Sequence, residues 1–190
     1  MQSIANHNKT GKRSDTTDES HLDLAEHFRE YYPRIYNYLR YRVPTPEDAE
    51  DLIGAVFEQA YTHRQQFDPT KGTFSAWLFR IAHNALVDHY RTRERRSTWE
   101  TEADFPPDLV TPEPSLETQM VHRETIAQLL QGLKGLSERD QEVLSLKFAG
   151  KLRNKEIGEI LNMKEKTVSV ALLRAMRRLR QQMEKEAAHE

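Results

Sequence analysis

Apolar side chains recur at three- and four-residue spacing along most of this chain, which is the periodicity of amphipathic helices. The first stripe follows His21 and consists of Leu24, Phe28, Tyr32, Ile35 and Leu39. Pro33 falls inside this stripe and predicts either a break or the first turn of a second segment. The segment VPTPEDAEDL then predicts a turn and a new helix, with Thr45 as its N-cap and acidic residues in its first turn.

That second helix should end near residue 63 and turn Leu52, Val56 and Ala60 inward. The segment RQQFDPTKGT has the composition of a loop. A third helix then begins with FSAWLFRIAHNALVDHYR and carries Phe74, Leu78, Ile81 and Ala85 along one face. It runs directly into RTRERR, which contains four arginines and indicates an acidic partner at that end.

Helical periodicity resumes after residue 124, where Ile126, Leu129, Leu130 and Leu133 form one stripe. The segment SERDQEVLSLKF opens with Ser137 and has Asp140 three residues later, a capping-box pattern. A short helix containing Ile157, Ile160 and Leu161 follows, and Asn162 stands where a tight turn needs a left-handed residue. The next helix turns Val168, Leu172, Ala175 and Leu179 to one side and is basic elsewhere. This succession predicts a helix-turn-helix.

Two segments lack this periodicity. Residues 1–20 are polar and predict a disordered tail. Residues 97–124 contain four prolines, and from Glu100 to Glu117 there are six acids and no base, which is typical of an extended linker. The sequence therefore predicts an all-α protein with two small helical domains, residues 21–96 and 125–185. The second is a helix-turn-helix domain, and an acidic, proline-containing linker joins the two.

Composition argues against several classes of function. The 190 residues include no cysteine, so disulfides and thiolate chemistry are excluded. We found no glycine-rich phosphate loop, no histidine pair at metal spacing and no nucleophile with an evident base. We therefore expect no catalytic residue, no metal and no cofactor. There is no signal-peptide pattern and no apolar run of about 18 residues, so we expect a cytoplasmic protein without membrane insertion.

The net charge of −2 conceals strong segregation of charge along the chain. From Lys71 to Arg96 there are six bases and two acids, and from Lys151 to Lys185 ten bases and four acids. From Glu47 to Glu58, in contrast, there are five acids and no base. Basic helices beside a helix-turn-helix indicate DNA binding, because neutralised phosphates supply affinity. The acidic helix requires a different, basic partner.

Three segments together resemble one family, the extracytoplasmic-function (ECF) sigma factors, which are promoter-specificity subunits of bacterial RNA polymerase. They are PEDAEDL…VF at 46–57, FSAWLFRIAHNALVDHYR at 74–91, and LSERDQEVLSLKF…NKEIGEILNMKEKTVSVALLRAMRRLR in the C-terminal half. The resemblance covers about residues 22–96 and 125–183. It implies binding to core polymerase and promoter DNA, and sequestration by an anti-sigma factor.

In the family, the acidic helix docks on the clamp helices of the largest polymerase subunit. Here the resemblance assigns this contact to Asp48, Glu50 and Asp51, with Leu52 and Phe57 as apolar candidates. The alternative is that these acids only favour the start of a helix. Gly54 and Ala55 depart from the polar and acidic pair that is usual in the family.

The third helix is similar to the segment that melts and binds the −10 element. Arg80, Asn84, Asp88 and Arg91 share one helical face, and Asn84 is the best candidate for a base contact. The predicted DNA-binding set is Arg80, His83, Asn84, Asp88, Arg91, Arg93, Arg95 and Arg96. The resemblance places a pocket for a flipped base at the loop 65–73. Trp77 fits the core better than base stacking, whereas His83 and His89 fit phosphate contact or simple solvation equally well.

The last helix is similar to the helix that reads the −35 element in the major groove. Its candidates are Lys164, Lys166, Thr167, Ser169, Val170, Leu173, Arg174, Arg177 and Arg178, the last two for phosphates. Ser169–Val170–Ala171 replaces a more basic run, and Lys164 stands where Ser or Thr usually caps the helix. Val170 and Leu173 fit either thymine methyl groups or a covering partner, and we expect unusual or weaker −35 contacts.

One alternative function remains open from the sequence, a transcriptional regulator that binds an operator through the C-terminal helix-turn-helix. It accounts for residues 125–183 equally well. It does not account for an acidic helix followed by a basic, aromatic helix.

Overall fold

The structure is a computed structural model that describes residues 24–96, 129 and 131–187. In the N-terminal half, three α-helices and one short 3-10 turn follow each other: α1 Leu24–Arg40, α2 Pro46–Thr62, the 3-10 turn Arg64–Gln66, and α3 Phe74–Arg96. The C-terminal half contains α4 Glu138–Phe148, α5 Asn154–Leu161 and α6 Glu165–Ala187. These described parts contain helices and turns but no strand, which confirms the all-α prediction.

Local sequence signals explain the helix boundaries. Thr45 caps α2 by accepting a 3.1 Å hydrogen bond from the backbone N–H of Asp48, as predicted. Ser137 caps α4 in the same way through the N–H of Asp140. Pro33, in contrast, lies inside α1, which continues as one helix, so both interpretations, a break and the first turn of a second segment, are wrong.

The turn between α5 and α6 has the geometry of a helix-turn-helix. Asn162 ends α5 in the left-handed conformation, with φ 52° and ψ 48°, as the sequence predicted. Gly158 lies against this turn, and a Cβ atom there would stand 2.5 Å from the carbonyl oxygen of Met163. Only glycine therefore allows α5 to approach the turn this closely.

The buried face of α3 is rotated from the predicted one. Phe74 and Leu78 are buried as expected, but Ile81 and Ala85 are only half-buried. Phe79, Ala82 and Leu86 are buried instead. The reason is that α3 packs on α5 as well as on α1 and α2, so that its buried arc turns toward the C-terminal half.

The two halves of the chain pack against each other and share one apolar cluster. Within it, the ring of Phe79 lies beside Gly150, where an added Cβ atom would come within 3.0 Å of the ring. The predicted tail 1–20 and linker 97–124 lie outside the described residues. No helix in the described ranges is long and apolar enough to cross a membrane.

Candidate functional site

Helix α2 presents an acidic face to solvent because most of its apolar residues lie on the opposite side, in the core. Ala49, Ile53, Val56 and Ala60 are buried, whereas Glu47, Glu50, Asp51 and Glu58 are exposed. Asp48 differs from these four acids. Its carboxylate accepts a 2.7 Å hydrogen bond from the Thr45 hydroxyl, and Arg93 approaches it at 4.0 Å. Asp48 thus contributes to the N-terminal cap of α2, and the free acidic charge lies at the other four positions.

The two apolar candidates of α2 have different environments. Leu52 is 8 % exposed and lies in the core, so the prediction that it contacts polymerase is corrected. It falls on the inward side because it continues the Ala49–Val56 arc of the helix. Phe57 is half-buried, and its ring lies 4.5 Å from that of Phe28. Phe28 is itself 43 % exposed, so this aromatic pair, rather than Leu52, supplies apolar surface beside the acids.

Gly54 lies on the exposed face of α2, with no atom within 4 Å of the position that a Cβ would occupy. A glycine inside a helix costs about 1 kcal/mol relative to alanine. Nothing within the described part of the chain explains why glycine stands there.

Helix α3 carries the predicted polar face. Arg80, Asn84, Asp88 and Arg91 are all exposed, and Arg91 pairs with Asp88 at 3.6 Å. The basic end of α3 is helical through Arg96. Arg93 is half-buried near Asp48, whereas the side chains of Arg95 and Arg96 fall outside the description.

The aromatic residues around α3 have separate roles. Trp77 is half-buried, with its ring 5.6 Å from Phe67 and 5.5 Å from Phe74, which supports its predicted place in the core.

The two histidines of α3 have different environments. His89 is half-buried beside Tyr90. His83 does not face solvent in the way that either sequence interpretation required. Its Nδ1 lies 3.1 Å from the carboxylate of Glu142, a residue of α4.

Glu142 is the centre of a buried polar cluster between the two halves. It accepts a 2.7 Å hydrogen bond from the Tyr38 hydroxyl and forms a 2.8 Å ion pair with Arg42, in addition to its contact with His83. Arg42 also donates to the carbonyl oxygen of Glu138 at 2.9 Å. Charges removed from water in this way are stable only with several partners, and Glu142 has three.

The cluster alters the acid–base properties of its members. Burial acts to raise the pKa of Glu142, but the hydrogen bonds from His83 and Tyr38 and the charge of Arg42 outweigh it, so this pKa lies below the usual value. The pKa of Tyr38 is well above its usual value because of burial and the neighbouring Glu142 charge. Glu142 is therefore ionised and Tyr38 neutral at pH 7.

A second set of contacts joins α5 to the start of α3 and the loop before it. The Thr73 hydroxyl donates to Glu156 Oε1 at 2.5 Å, and Arg80 donates to the carbonyl oxygen of Glu159 at 3.3 Å. On the other side, Arg34 donates to the carbonyl oxygen of Gly150 at 2.5 Å. The sequence did not predict these contacts, because no local pattern specifies partners that lie so far apart along the chain. An acid within an otherwise apolar stretch, EVLSL, was the only local signal for Glu142.

All nine predicted residues of the C-terminal DNA surface are exposed on or just before α6. The predicted core residues Val168, Leu172 and Ala175 are buried on its other side. Two of the nine have intramolecular partners. Ser169 accepts from the Asn154 amide at 3.0 Å and donates to the carbonyl oxygen of Glu165 at 3.1 Å. Arg178 Nη1 lies 2.6 Å from the buried carboxylate of Asp140, which fixes α6 to α4.

The exposed centre of α6 is apolar between basic residues. Val170 is 47 % and Leu173 52 % exposed, and the exposed basic residues Lys166, Arg174 and Arg177 lie before and after them along the helix. Met176 is a further exposed apolar residue that sequence analysis did not select.

Family comparisons agree with this arrangement of a three-helix unit and a helix-turn-helix unit. Residues 27–96 match sigma-70 region 2, and residues 126–179 match sigma-70 region 4. The chain belongs to the sigma-70 family of RNA polymerase sigma factors, in its ECF class. It directs promoter-specific initiation of transcription as a subunit of RNA polymerase, and the operator-binding regulator is not favoured.

Individual relatives extend over nearly the whole chain. It is 32 % identical to the RNA polymerase sigma factor YlaC of Bacillus subtilis over 90 % of its own length and 98 % of the relative's. It is 29 % identical to the ECF sigma factor SigM of the same organism, over 84 % of this chain and 94 % of SigM. Among solved structures, the sigma factor RpoE of Bartonella quintana, in complex with the anti-sigma factor NepR, matches with a TM-score of 0.69 at 19 % identity. That match covers 85 % of this chain and 97 % of RpoE and supports the shared fold.

Proposed function

We propose that residues 21–96 bind core polymerase and the −10 element, and that residues 125–185 bind the −35 element. This assignment of functions to the two halves rests on the distribution of exposed charge. One exposed acidic face lies on α2, and separate basic surfaces lie on α3 and α6. An acidic face repels DNA and fits a basic protein surface, whereas the two basic surfaces fit phosphates. Residues 97–124 serve as the linker.

The polymerase contact uses the exposed acids of α2. Glu50 and Asp51 carry charge complementarity to the clamp helices, with Asp48 holding the helix start. Charges of this kind mainly set the rate of encounter and the register of docking. The Phe28–Phe57 pair supplies the adjoining apolar contact.

The −10 contact uses the exposed polar face of α3. Asn84 hydrogen-bonds a base edge, since its amide offers both a donor and an acceptor. Arg80, Arg91, Arg93, Arg95 and Arg96 neutralise phosphates, with Asp88 orienting Arg91. The loop 65–73 forms the pocket that holds a base removed from the stack, which offsets the cost of unstacking.

The −35 contact has an apolar centre. Lys166, Thr167 and Arg174 supply polar contacts to bases or backbone, and Arg177 supplies a phosphate contact. Ser169 is occupied by Asn154 and Glu165, which leaves Val170 and Leu173 as the central side chains facing the groove. Their best match in DNA is the thymine methyl group. Lys164 and Arg178 lie at the margin of this surface.

Three further properties follow from this function. The chain contributes no catalytic residue of its own, because bond formation belongs to the polymerase. It acts in the cytoplasm, where its polymerase and promoters are. An anti-sigma factor holds it inactive, as NepR is found bound to RpoE and the cytosolic domain of CnrY to CnrH.

The test is binding to bacterial core RNA polymerase at moderate salt, with Glu50→Lys and Asp51→Lys combined in one variant. The native chain should bind one to one, and the variant should bind at least about tenfold more weakly because two favourable charges become repulsive. Asp48 is left unchanged, since its loss would also disturb the cap of α2.

The matched control combines Glu138→Lys and Glu184→Lys, two exposed acids of the C-terminal half. It changes the net charge equally and should bind like the native chain. Equal weakening by both double variants would refute docking through α2, and no binding by the native chain would refute the polymerase contact altogether.

A further inference from the structure

Three helices of the C-terminal half are joined by one chain of hydrogen bonds that ends on the proposed −35 surface. Lys147 of α4 donates to the side-chain oxygen of Asn154 at 3.0 Å and to the carbonyl oxygen of Leu152 at 3.2 Å. Asn154, the first residue of α5, donates through its amide nitrogen to the Ser169 hydroxyl of α6 at 3.0 Å. Ser169 in turn donates to the backbone carbonyl oxygen of Glu165 at 3.1 Å. Side chains of α4 and α5 thus act on a residue of α6.

Lys147 sets the direction of these bonds. An ammonium group carries only donors, so the oxygen rather than the nitrogen of the Asn154 amide must face it. The amide nitrogen is thereby turned toward Ser169, whose hydroxyl oxygen accepts from it. The proton of the hydroxyl is left for the carbonyl oxygen of Glu165. Lys147 and Asn154 are both half-buried, whereas Ser169 is exposed.

These bonds use most of the hydrogen-bonding capacity of Ser169. A hydroxyl has one proton and two acceptor lone pairs, and here the proton and one lone pair are occupied within the chain. At their major-groove edges, guanine and thymine offer acceptors but no donor. A hydroxyl without a free proton cannot form a hydrogen bond to either base.

The position of Ser169 makes this occupation relevant to DNA. The residue is exposed on the proposed −35 surface, next to Val170 and four residues before Leu173, which share its helix and are exposed too. A polar side chain in the middle of this surface is therefore held silent toward two of the four bases.

We propose that Asn154, oriented by Lys147, determines base preference at the −35 element by withholding the Ser169 hydroxyl from DNA. Asn154 is a positioning residue in this role, since it acts through Ser169 and does not itself contact a base. The apolar side chains Val170 and Leu173 then decide the preference, because the hydroxyl beside them has no free proton to offer. The proposal rests on the proposed −35 function of α6.

The experiment measures base preference with the full-length chain bound to bacterial core polymerase. The native complex first selects DNA from a random-sequence pool. The −35 region of the recovered DNA is then randomised, and each variant complex selects from this second pool. The base frequencies of the bound DNA give the preference at each position, and the amount of bound DNA gives the affinity.

Two single variants have opposite expected results. Ser169→Ala should keep the native base frequencies, because the hydroxyl that it removes does not bind a base. Asn154→Ala releases the hydroxyl, so the frequency of guanine or thymine at one base pair should rise at least about threefold, the effect of one neutral hydrogen bond. Unchanged frequencies for Asn154→Ala would refute the control of Ser169 by Asn154. A shift caused by Ser169→Ala would show that the hydroxyl already binds a base in the native chain, which also overturns the proposal.

The double variant Asn154→Ala with Ser169→Ala distinguishes a released hydroxyl from a displaced helix. It should return to the native base frequencies, since the hydroxyl that Asn154→Ala releases is then absent. A shift that persists in the double variant would mean that α6 itself has moved, and the proposal would be wrong.

A pair of lysine variants tests the orienting role of Lys147. Lys147→Met removes the ammonium group and keeps an unbranched side chain of similar length, so the Asn154 amide is able to turn. Part of the shift seen with Asn154→Ala should appear, and this variant provides the test if Asn154→Ala does not fold. The control Lys151→Met removes an exposed charge from the turn before α5 and should keep the native frequencies. Equal frequencies for the two lysine variants would refute the orienting role.

Failure of the proposed −35 function gives a different result. The native complex would then enrich no −35 motif from the random-sequence pool, and the role of Asn154 would be refuted with that function. If the native complex does enrich a motif and the variants depart from the expected order, only the role of Asn154 is refuted. Urea unfolding of each free variant shows that it is folded.

Discussion

The hydroxyl of Tyr38 donates a 2.7 Å hydrogen bond to Glu142 Oε1, although 104 positions separate the two residues. Arg42 binds the other carboxylate oxygen of Glu142 at 2.8 Å. Tyr38 and Arg42 belong to the end of α1 and the turn after it, and Glu142 belongs to α4. One buried carboxylate therefore contributes to fixing the relative position of the two domains.

Replacing this carboxylate should weaken the whole folded state. Glu142→Gln retains the shape but leaves Arg42 without its counter-charge, and breaking a buried ion pair costs about 3 kcal/mol. The free energy of unfolding, measured with urea, should fall by about that amount. Glu184→Gln, which changes an exposed pair, should match the native chain, and a similarly small loss for Glu142→Gln would show that the cluster contributes little.

The same carboxylate makes stability depend on pH in the acid range. The pKa of Glu142 is lower in the folded chain than the ordinary value of 4.5, and that of Glu156 is lowered too, since its hydrogen bonds from Thr73 and Arg153 outweigh the effect of burial. Their contribution is thus fully present above pH 4.5 and is lost as the pH falls through the folded-state pKa values. The urea-unfolding difference between the native chain and Glu142→Gln should be constant from pH 7 to about 5.5 and shrink below about 4.5. A constant difference down to pH 3.5 would contradict this assignment.

Replacing Arg177 or Arg178, two neighbouring arginines of α6, should affect different properties of the protein. Arg178 is paired with the buried Asp140 carboxylate, so Arg178→Ala should lower the unfolding free energy by about 1–2 kcal/mol, a figure reduced for the partial exposure of the arginine. Arg177→Ala should leave stability unchanged. In DNA binding by the polymerase complex, Arg177→Ala should reduce the slope of log affinity against log salt by about 1.

Comparing the Arg177→Ala and Arg178→Ala variants distinguishes a role in stability from a role in phosphate binding. If the slope of log DNA affinity against log salt is the same for Arg177→Ala and for the native complex, Arg177 does not contact a phosphate. Unchanged urea midpoints for Arg178→Ala would mean that its bond to Asp140 does not stabilise the domain.

The apolar centre of α6 should make promoter binding sensitive to thymine methyl groups. Replacing thymine by uracil in the −35 region of DNA selected by the polymerase complex removes only the methyl. Affinity should fall about fourfold for each contacted methyl, which corresponds to about 0.8 kcal/mol. The effect should disappear in a variant with Val170→Ala and Leu173→Ala.

Phe148→Ala supplies the control, because Phe148 is an exposed apolar residue of α4 rather than α6. It should retain the native response to uracil. If replacing thymine by uracil does not change the affinity of the native complex, Val170 and Leu173 do not contact thymine methyl groups. That result would favour the other interpretation that the sequence allowed, in which a partner covers these two side chains.

Periodicity and local capping determined much of this protein without any structure. The stripe Val168–Leu172–Ala175, the caps Thr45 and Ser137, and the left-handed Asn162 each depend on interactions within a few residues, and all were predicted correctly. The exposed polar face of α3 was predicted for the same reason, since residues at helical spacing share a face in any tertiary context. The three family segments then indicated a sigma factor.

Tertiary structure decided what lies against each face. Leu52 lies in the core, as the helical periodicity predicted, although the family resemblance assigned it to the polymerase contact. His83 lies against Glu142 although it was predicted to meet phosphate or solvent. Phe79, Ala82 and Leu86 of α3 are buried because a second domain packs on this helix. Such contacts join residues about 60 to 116 positions apart, where no local pattern specifies a partner. The sequence by itself determined which helices form and which charges they display, and only the packing of the two halves decided which of those charges are covered.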